Sequence, residues 1–136
     1  MYLVDTNVIS EARKGKKANP GVQEFFRTTD HADLYLSVQT IGEIRRGLEN
    51  IRHRSDLLQA KKLEKWLDLL VADYADRILS FDQECAQVWG SLMSPHHQHP
   101  IDKQIAAIAL IHDLTVITRN VDDFRGTGVG VKNPFS

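Results

Sequence analysis

The chain has 136 residues, 42% of them hydrophobic and 26% charged, enough for one globular domain that buries about two thirds of its unfolded surface. Its one cysteine, Cys85, excludes an internal disulfide framework, and no apolar stretch approaches the roughly 18 residues of a membrane span. The net charge of −1 carries none of the basic surplus usual in nucleic-acid binders.

The N-terminal apolar run has no basic flank and is too short for a signal peptide, so the expected location is the cytoplasm. Met1 to Val4 reads as a buried strand that delivers Asp5 to its tip, followed by a helix from Asn7 to about Lys14. Asp5 either caps that helix or serves a site, since ligands of open α/β sheets bind beyond the carboxyl ends of strands. Gly15 stops the helix in the solvated basic loop Lys14 to Lys17, and Pro20 opens a second helix to about Thr28.

Asp33 to Ser37 is a second strand, leading into a helix whose core face is Ile41, Ile44, Leu48 and Ile51, with Glu43 beside that face. Ser55-Asp56 starts a long helix ending near Tyr74, with the stripe Leu63, Trp66, Leu67, Leu70, Val71 and Tyr74 opposite Lys61, Lys62, Lys65 and Asp68. That stripe packs the core or meets a partner. Ile78 to Phe81 is a third strand. A helix from Asp82 to about His96 turns Ala86, Val88, Trp89, Leu92 and Met93 largely inward, with Cys85 as a small buried thiol.

His96, His97 and His99 lie between Pro95 and Pro100. The prolines predict an extended loop without zinc-ligand spacing, which disfavours a metal role for these imidazoles. Ile101 to His112 is a nearly all-apolar helix with Asp102 in its first turn, where an acid also suits the helix dipole. Leu114 to Thr118 is a β-branched strand, Arg119 to Phe124 a polar turn, and Gly128 to Lys132 a last strand.

Strands alternating with helices predict an α/β fold: a parallel sheet flanked by helices on both faces, residues 1–136 forming a single domain. Asp5, Glu43, Asp102 and Asp123 then fall toward one edge. Four carboxylates crowded together need compensation, and a divalent cation with oxygen ligands, Mg2+ or Mn2+, supplies it. Setting those four charges aside from the net −1 leaves +3, which allows a mildly basic rim.

Several stretches, in this order, resemble the PIN-domain ribonucleases, and within them the VapC or FitB type of toxin from bacterial toxin–antitoxin pairs. They are Tyr2 to Ser10, Ser37 with Ile41 to Gly47, Asp102 to Ala107, Thr118 to Phe124, and the ending Gly126 to Gly128 through Asn133-Pro134. The resemblance runs the whole chain. It implies Asp5, Glu43, Asp102 and Asp123 as metal-site acids, with Thr6, Thr118 and Asn120 as supporting polar groups. Asp122 and Asp123 are consecutive acids, and Asp123 is chosen because the family acid immediately precedes the aromatic, here Phe124.

The resemblance further implies a metal-dependent endoribonuclease that leaves a 5′-phosphate and a 3′-hydroxyl on RNA, transfer RNA among the substrates to test. It also implies a homodimer silenced by a small antitoxin, for which the long-helix stripe is the expected contact. Arg45, Arg46, Lys103 and Arg119 lie close to the acids in sequence, where they meet the RNA backbone or remain solvated. Two rival readings are a metal-dependent phosphatase and a non-catalytic nucleic-acid-binding module. An aspartyl-phosphate mechanism would place a second acid two residues after Asp5, where this chain has Asn7.

Overall fold

A computed structural model describes residues 1–136. The elements are β1 (Tyr2–Val4), α1 (Thr6–Ala12), α2 (Pro20–Thr28), β2 (Leu34–Ser37), α3 (Val38–His53), α4 (Leu57–Asp73), β3 (Ile78–Leu79), α5 (Gln83–Leu92), α6 (Pro100–His112), β4 (Thr115–Ile117) and β5 (Val131–Lys132). Short 3-10 turns occupy Gly15–Lys17, His31–Asp33, Ala75–Arg77 and Val121–Phe124.

The five strands form one parallel sheet in the order β3-β2-β1-β4-β5. β1 is therefore central, with Leu3 opposite Tyr35 on one side and Val116 on the other. Alternation along the strands splits the core. Val4, Leu34, Leu36 and Ile117 pack with Val8, Val22, Ile44, Leu48 and Leu67 from α1 to α4. Leu3 and Val116 pack on the opposite face with Cys85, Ile105, Ile108 and Phe124. Helices cover both faces because each face of a buried parallel sheet is apolar. No helix is long and apolar enough to cross a membrane.

Local chemistry sets the helix starts. Asp5, Asn19, Ser37, Asp56 and Asp82 each accept a backbone N–H at the first turn of α1 to α5, a contribution of about 1 kcal/mol apiece. α5 is shorter than expected: it stops at Leu92 rather than near His96, because Pro95 disfavours helical backbone at the residue before it. Ala86, expected inward, lies on the exposed side of α5. In α4, Leu67, Leu70 and Tyr74 are buried, whereas Val71 is exposed together with Leu57, Leu58 and Leu69. β3 is two residues long, shorter than the stretch to Phe81 expected from apolar content.

Candidate metal centre at the carboxyl edge of the sheet

Asp5 follows β1 at the middle of the sheet's carboxyl edge and is 3% exposed. Its Oδ1 accepts from the Thr6 backbone N–H at 2.8 Å, and its Oδ2 accepts from the Thr118 hydroxyl at 2.8 Å and from Asn7 Nδ2 at 3.3 Å. Asp5 thus caps α1 and faces a polar cluster at once, so the two sequence readings of this residue are compatible. Burial pushes its pKa up, and the Glu43 charge adds to that. The hydrogen bonds from Thr118, Thr6 and Asn7 work in the opposite direction.

Glu43 projects from the second turn of α3. Its Oε1 accepts from the Thr6 hydroxyl at 2.7 Å, and the Thr6 and Thr40 hydroxyls meet at 3.0 Å. Thr40 is fully buried and held from below, its backbone N–H reaching Ser37 Oγ at 3.2 Å. Thr118 closes the other side. Its Oγ1 accepts from the Asn120 backbone N–H at 3.0 Å, and Asn7 Oδ1 accepts from the Arg119 backbone N–H at 3.0 Å. The tips of β1 and β4 are thereby laced together around Asp5.

Asp102 lies in the first turn of α6, and Asp123 in the 3-10 turn after β4. One ligand atom each from His99, Asp102 and Asp123 falls within 4.8 Å of the others, and His99 Nε2 lies 3.6 Å from Asp123 Oδ1. The Asp102 carboxyl is pushed up to about 7, first by burial and then by the charges of Asp5, Asp123 and Glu43, with His99 pulling the other way. Asp5, Asp123 and Glu43 therefore act electrostatically on Asp102. Asp122, by contrast, is exposed and pairs with Arg125 at 2.8 Å.

The expected supporting groups divide. Thr6 and Thr118 donate directly to carboxylates, whereas Asn120 contributes its backbone N–H and keeps its side chain exposed. His99, which the flanking prolines disfavoured as a ligand, lies beside Asp102 and Asp123, and Thr40 and Asn7 were not singled out from sequence. Asn7 alone carried a signal, being an amide two residues from an acid at a strand tip.

The four cations are also placed differently. Arg119 is exposed and lies over the Phe135 ring at 4.8 Å, and Arg46 is exposed on α3. Arg45 is engaged by Glu64 at 2.6 Å and Glu49 at 3.1 Å. Lys103, expected to meet the RNA backbone or remain solvated, is instead 8% exposed, and its Nζ donates to the His96 carbonyl at 2.8 Å. A lysine on an apolar helix reaches the nearest carbonyl when its stem is buried.

Residues that suit a hard divalent cation are present: carboxylate oxygens from four separate elements, one of which, Asp102, is raised to about 7 by burial first and then by the charges of the other three. A groove of about 410 Å³ runs from Thr6 and Glu43 between α1, α3 and α4, with Arg13, Gly47, Leu63 and Trp66 along its walls.

Residues 2–129 match the PIN domain family model. The plasmid stability protein StbB of Pseudomonas syringae pv. tomato is 36% identical, covering 99% of both chains. Toxin FitB of Neisseria gonorrhoeae is 33% identical over 99% of both, and VapC ribonuclease Y4jK of Sinorhizobium fredii 30% identical over 99% of this chain and 98% of its own. The crystal structure of FitAcB from Neisseria gonorrhoeae superposes with a TM-score of 0.80 at 34% identity, covering 98% of each chain. The chain belongs to the PIN-domain family, on the branch that holds the VapC and FitB toxins.

Proposed function

We propose that this protein is the ribonuclease toxin of a toxin–antitoxin pair, and that Asp5, Glu43, Asp102 and Asp123 hold a divalent cation, Mg2+ or Mn2+, for hydrolysis of RNA phosphodiester bonds. The observation that carries the reading is geometric: Asp102 and Asp123 bring ligand atoms within 4.8 Å of one another, Thr6 links Asp5 to Glu43, and burial followed by the other three carboxylates pushes the Asp102 pKa up. An arrangement that costs stability when empty is explained by a ligand that repays it. A relative at 30% identity is named a VapC ribonuclease.

A bound Mg2+ would supply an oriented, more acidic water and would neutralise charge developing on the phosphate during in-line attack. The chain's own residues prepare the place. Thr118, Thr6 and Asn7 fix both oxygens of Asp5 by hydrogen bonds, so its orientation costs no reorganisation. Thr6 holds one oxygen of Glu43 and leaves the other free. No side-chain nucleophile is required. Arg119, immediately after Thr118, and Arg46, one turn beyond Glu43, are the cations available for the RNA backbone. Arg45 instead ties α3 to α4 through Glu64.

The partner reading follows from the groove beside Glu43. A small antitoxin would lie along α3 and α4, covering Gly47, Leu63 and Trp66 and reaching the acids. The toxin itself would act as a homodimer in the cytoplasm.

The test is incubation with Mg2+ and a panel of cellular RNAs, transfer RNAs included. Cleavage at one or a few places, stopped by EDTA and absent in Glu43→Gln, is expected. Hydrolysis of a small phosphomonoester with all RNAs intact would favour a phosphatase. Tight RNA binding without metal-dependent cleavage would favour a binding module.

A further inference from the structure

We propose that His99 is a nitrogen ligand of the same cation, and that it shifts the preference of the site from Mg2+ toward Mn2+. The inference rests on the reading of the four acids as metal ligands and adds a fifth side chain to them.

The first support is spacing. Ligand atoms of His99, Asp102 and Asp123 all lie within 4.8 Å of one another. Ligands about 2.1 Å from one octahedral ion are separated by about 3 Å when adjacent and about 4.2 Å when opposite. A small closing movement of these side chains therefore brings all three onto a single ion. The 3.6 Å between His99 Nε2 and Asp123 Oδ1 is too long for a hydrogen bond, so that contact does not occupy the nitrogen.

The second support is placement. His99 adopts φ +55°, a left-handed backbone uncommon for non-glycine residues although histidine is among those that take it more readily. The loop is held from both sides. Trp89 Nε1 donates to the Pro100 carbonyl at 3.1 Å, and Lys103 Nζ donates to the His96 carbonyl at 2.8 Å. The His99 carbonyl accepts the Lys103 backbone N–H at 3.0 Å. The buried lysine therefore straps the histidine loop onto α6, three residues before Asp102. His96, His97 and His99 are all exposed, but only His99 lies in the cluster.

The consequence for metal choice is chemical. Carboxylates and water satisfy Mg2+ completely, whereas an imidazole adds more affinity for a first-row transition ion than for a hard alkaline-earth ion. A site with one imidazole among its acids gains for Mn2+ what it does not gain for Mg2+.

Pulsed electron paramagnetic resonance of the Mn2+-loaded protein tests this directly. Nitrogen-14 modulation is expected in the unaltered protein and lost in His99→Asn, a change that tolerates the left-handed backbone. Calorimetric titration should show Mn2+ affinity falling by roughly tenfold and Mg2+ affinity by much less. An unchanged metal-free melting temperature identifies the variant as folded. Mn2+ bound without nitrogen modulation, modulation that persists in His99→Asn, or equal losses for both metals would overturn the assignment of His99 alone. Failure of the unaltered protein to bind Mn2+, or binding indifferent to Asp102→Asn, would remove the four-acid site as well.

Discussion

The Thr118 hydroxyl donates to Asp5 Oδ2 at 2.8 Å across a sequence separation of 113 residues. One hydrogen bond thus links the tips of two neighbouring parallel strands and fixes the carboxylate between them. Thr118 is fully buried, so its hydroxyl has no water to fall back on. Replacing it with valine keeps the shape and the β-branch but removes the donor to Asp5 and the acceptor of the Asn120 N–H. Thr118→Val should retain the fold, lose about 1–3 kcal/mol of stability, and bind Mn2+ roughly tenfold more weakly. Denaturant melts and calorimetric titration measure the two effects, and undiminished Mn2+ affinity would show that the bond does not serve the site.

Asp122 and Asp123 are adjacent and differently placed. Asp123 approaches His99 and Asp102, whereas Asp122 is exposed and paired with Arg125. Asp123→Asn should lower RNA cleavage by orders of magnitude, and Asp122→Asn should change it less than about threefold, since exposed ion pairs contribute little. Rate measurements on the two variants decide the matter, and the reverse order would reassign the fourth acid.

The raised Asp102 carboxyl makes the metal-free protein sensitive to pH. Its pKa moves from an ordinary 3.8 to about 7 on folding, so between these values the folded chain holds a proton that the unfolded chain has released. The penalty is absent below about pH 4, grows as pH rises through the window, and is complete above about 7. Metal-free protein should melt lower at pH 8 than at pH 5. Asp102→Asn should flatten that slope and raise the pH 8 melting temperature by roughly 3 °C. With Mn2+ the trend in binding is opposite, because the ion requires the carboxylate and its affinity should rise over the same window. A variant that melts lower than the parent at pH 8 would contradict this account.

Gly47 sits in the interior of α3, where an added Cβ meets nothing within 4 Å. Gly47→Ala should therefore stabilise the protein by about 0.5–1 kcal/mol through helix propensity. The same residue lines the groove beside Glu43. Gly47→Trp should fill that groove and weaken capture by the cognate antitoxin at least tenfold while the melting temperature stays within a few degrees. Unchanged capture would place the antitoxin elsewhere.

The sheet and its order of elements were legible because the strands lie in apolar runs and five of the six helices start at a capping side chain, both local signals. The path of the acids to one edge was legible for the same reason: an acid at the end of a strand or in the first turn of a helix has its position set by the element. What joins them was not. Thr40 reaches Thr6 across 34 positions and Asn7 reaches Thr118 across 111, and no periodicity encodes such pairs. His99 was set aside with its two neighbouring imidazoles because the flanking prolines predict an extended loop, and only the fold brings its ring nitrogen together with Asp102 and Asp123. Lys103 misled for the related reason that a charged residue in sequence does not reveal a carbonyl folded over it. The end of α5 at Leu92 was written in Pro95, although the apolar pattern up to Met93 suggested a longer helix.

The central place of β1 has a bearing on how the molecule comes into being. The strand made first is flanked by β2 and by β4, and its register with β4 joins Tyr2 to Thr115. Such distant parallel pairing is slow and costs chain entropy before any contact rewards it. During synthesis β1, α1 and α3 emerge early, bringing Asp5 and Glu43 with them. Asp102, Thr118 and Asp123 do not exist until the last quarter of the chain has been made. A ribosome-bound nascent chain thus lacks two of the four proposed metal ligands throughout most of its elongation. A chain ending before Thr118 would lack Asp123 and the donor to Asp5, so the proposed cation site would form only after the last strands have been made and paired with β1.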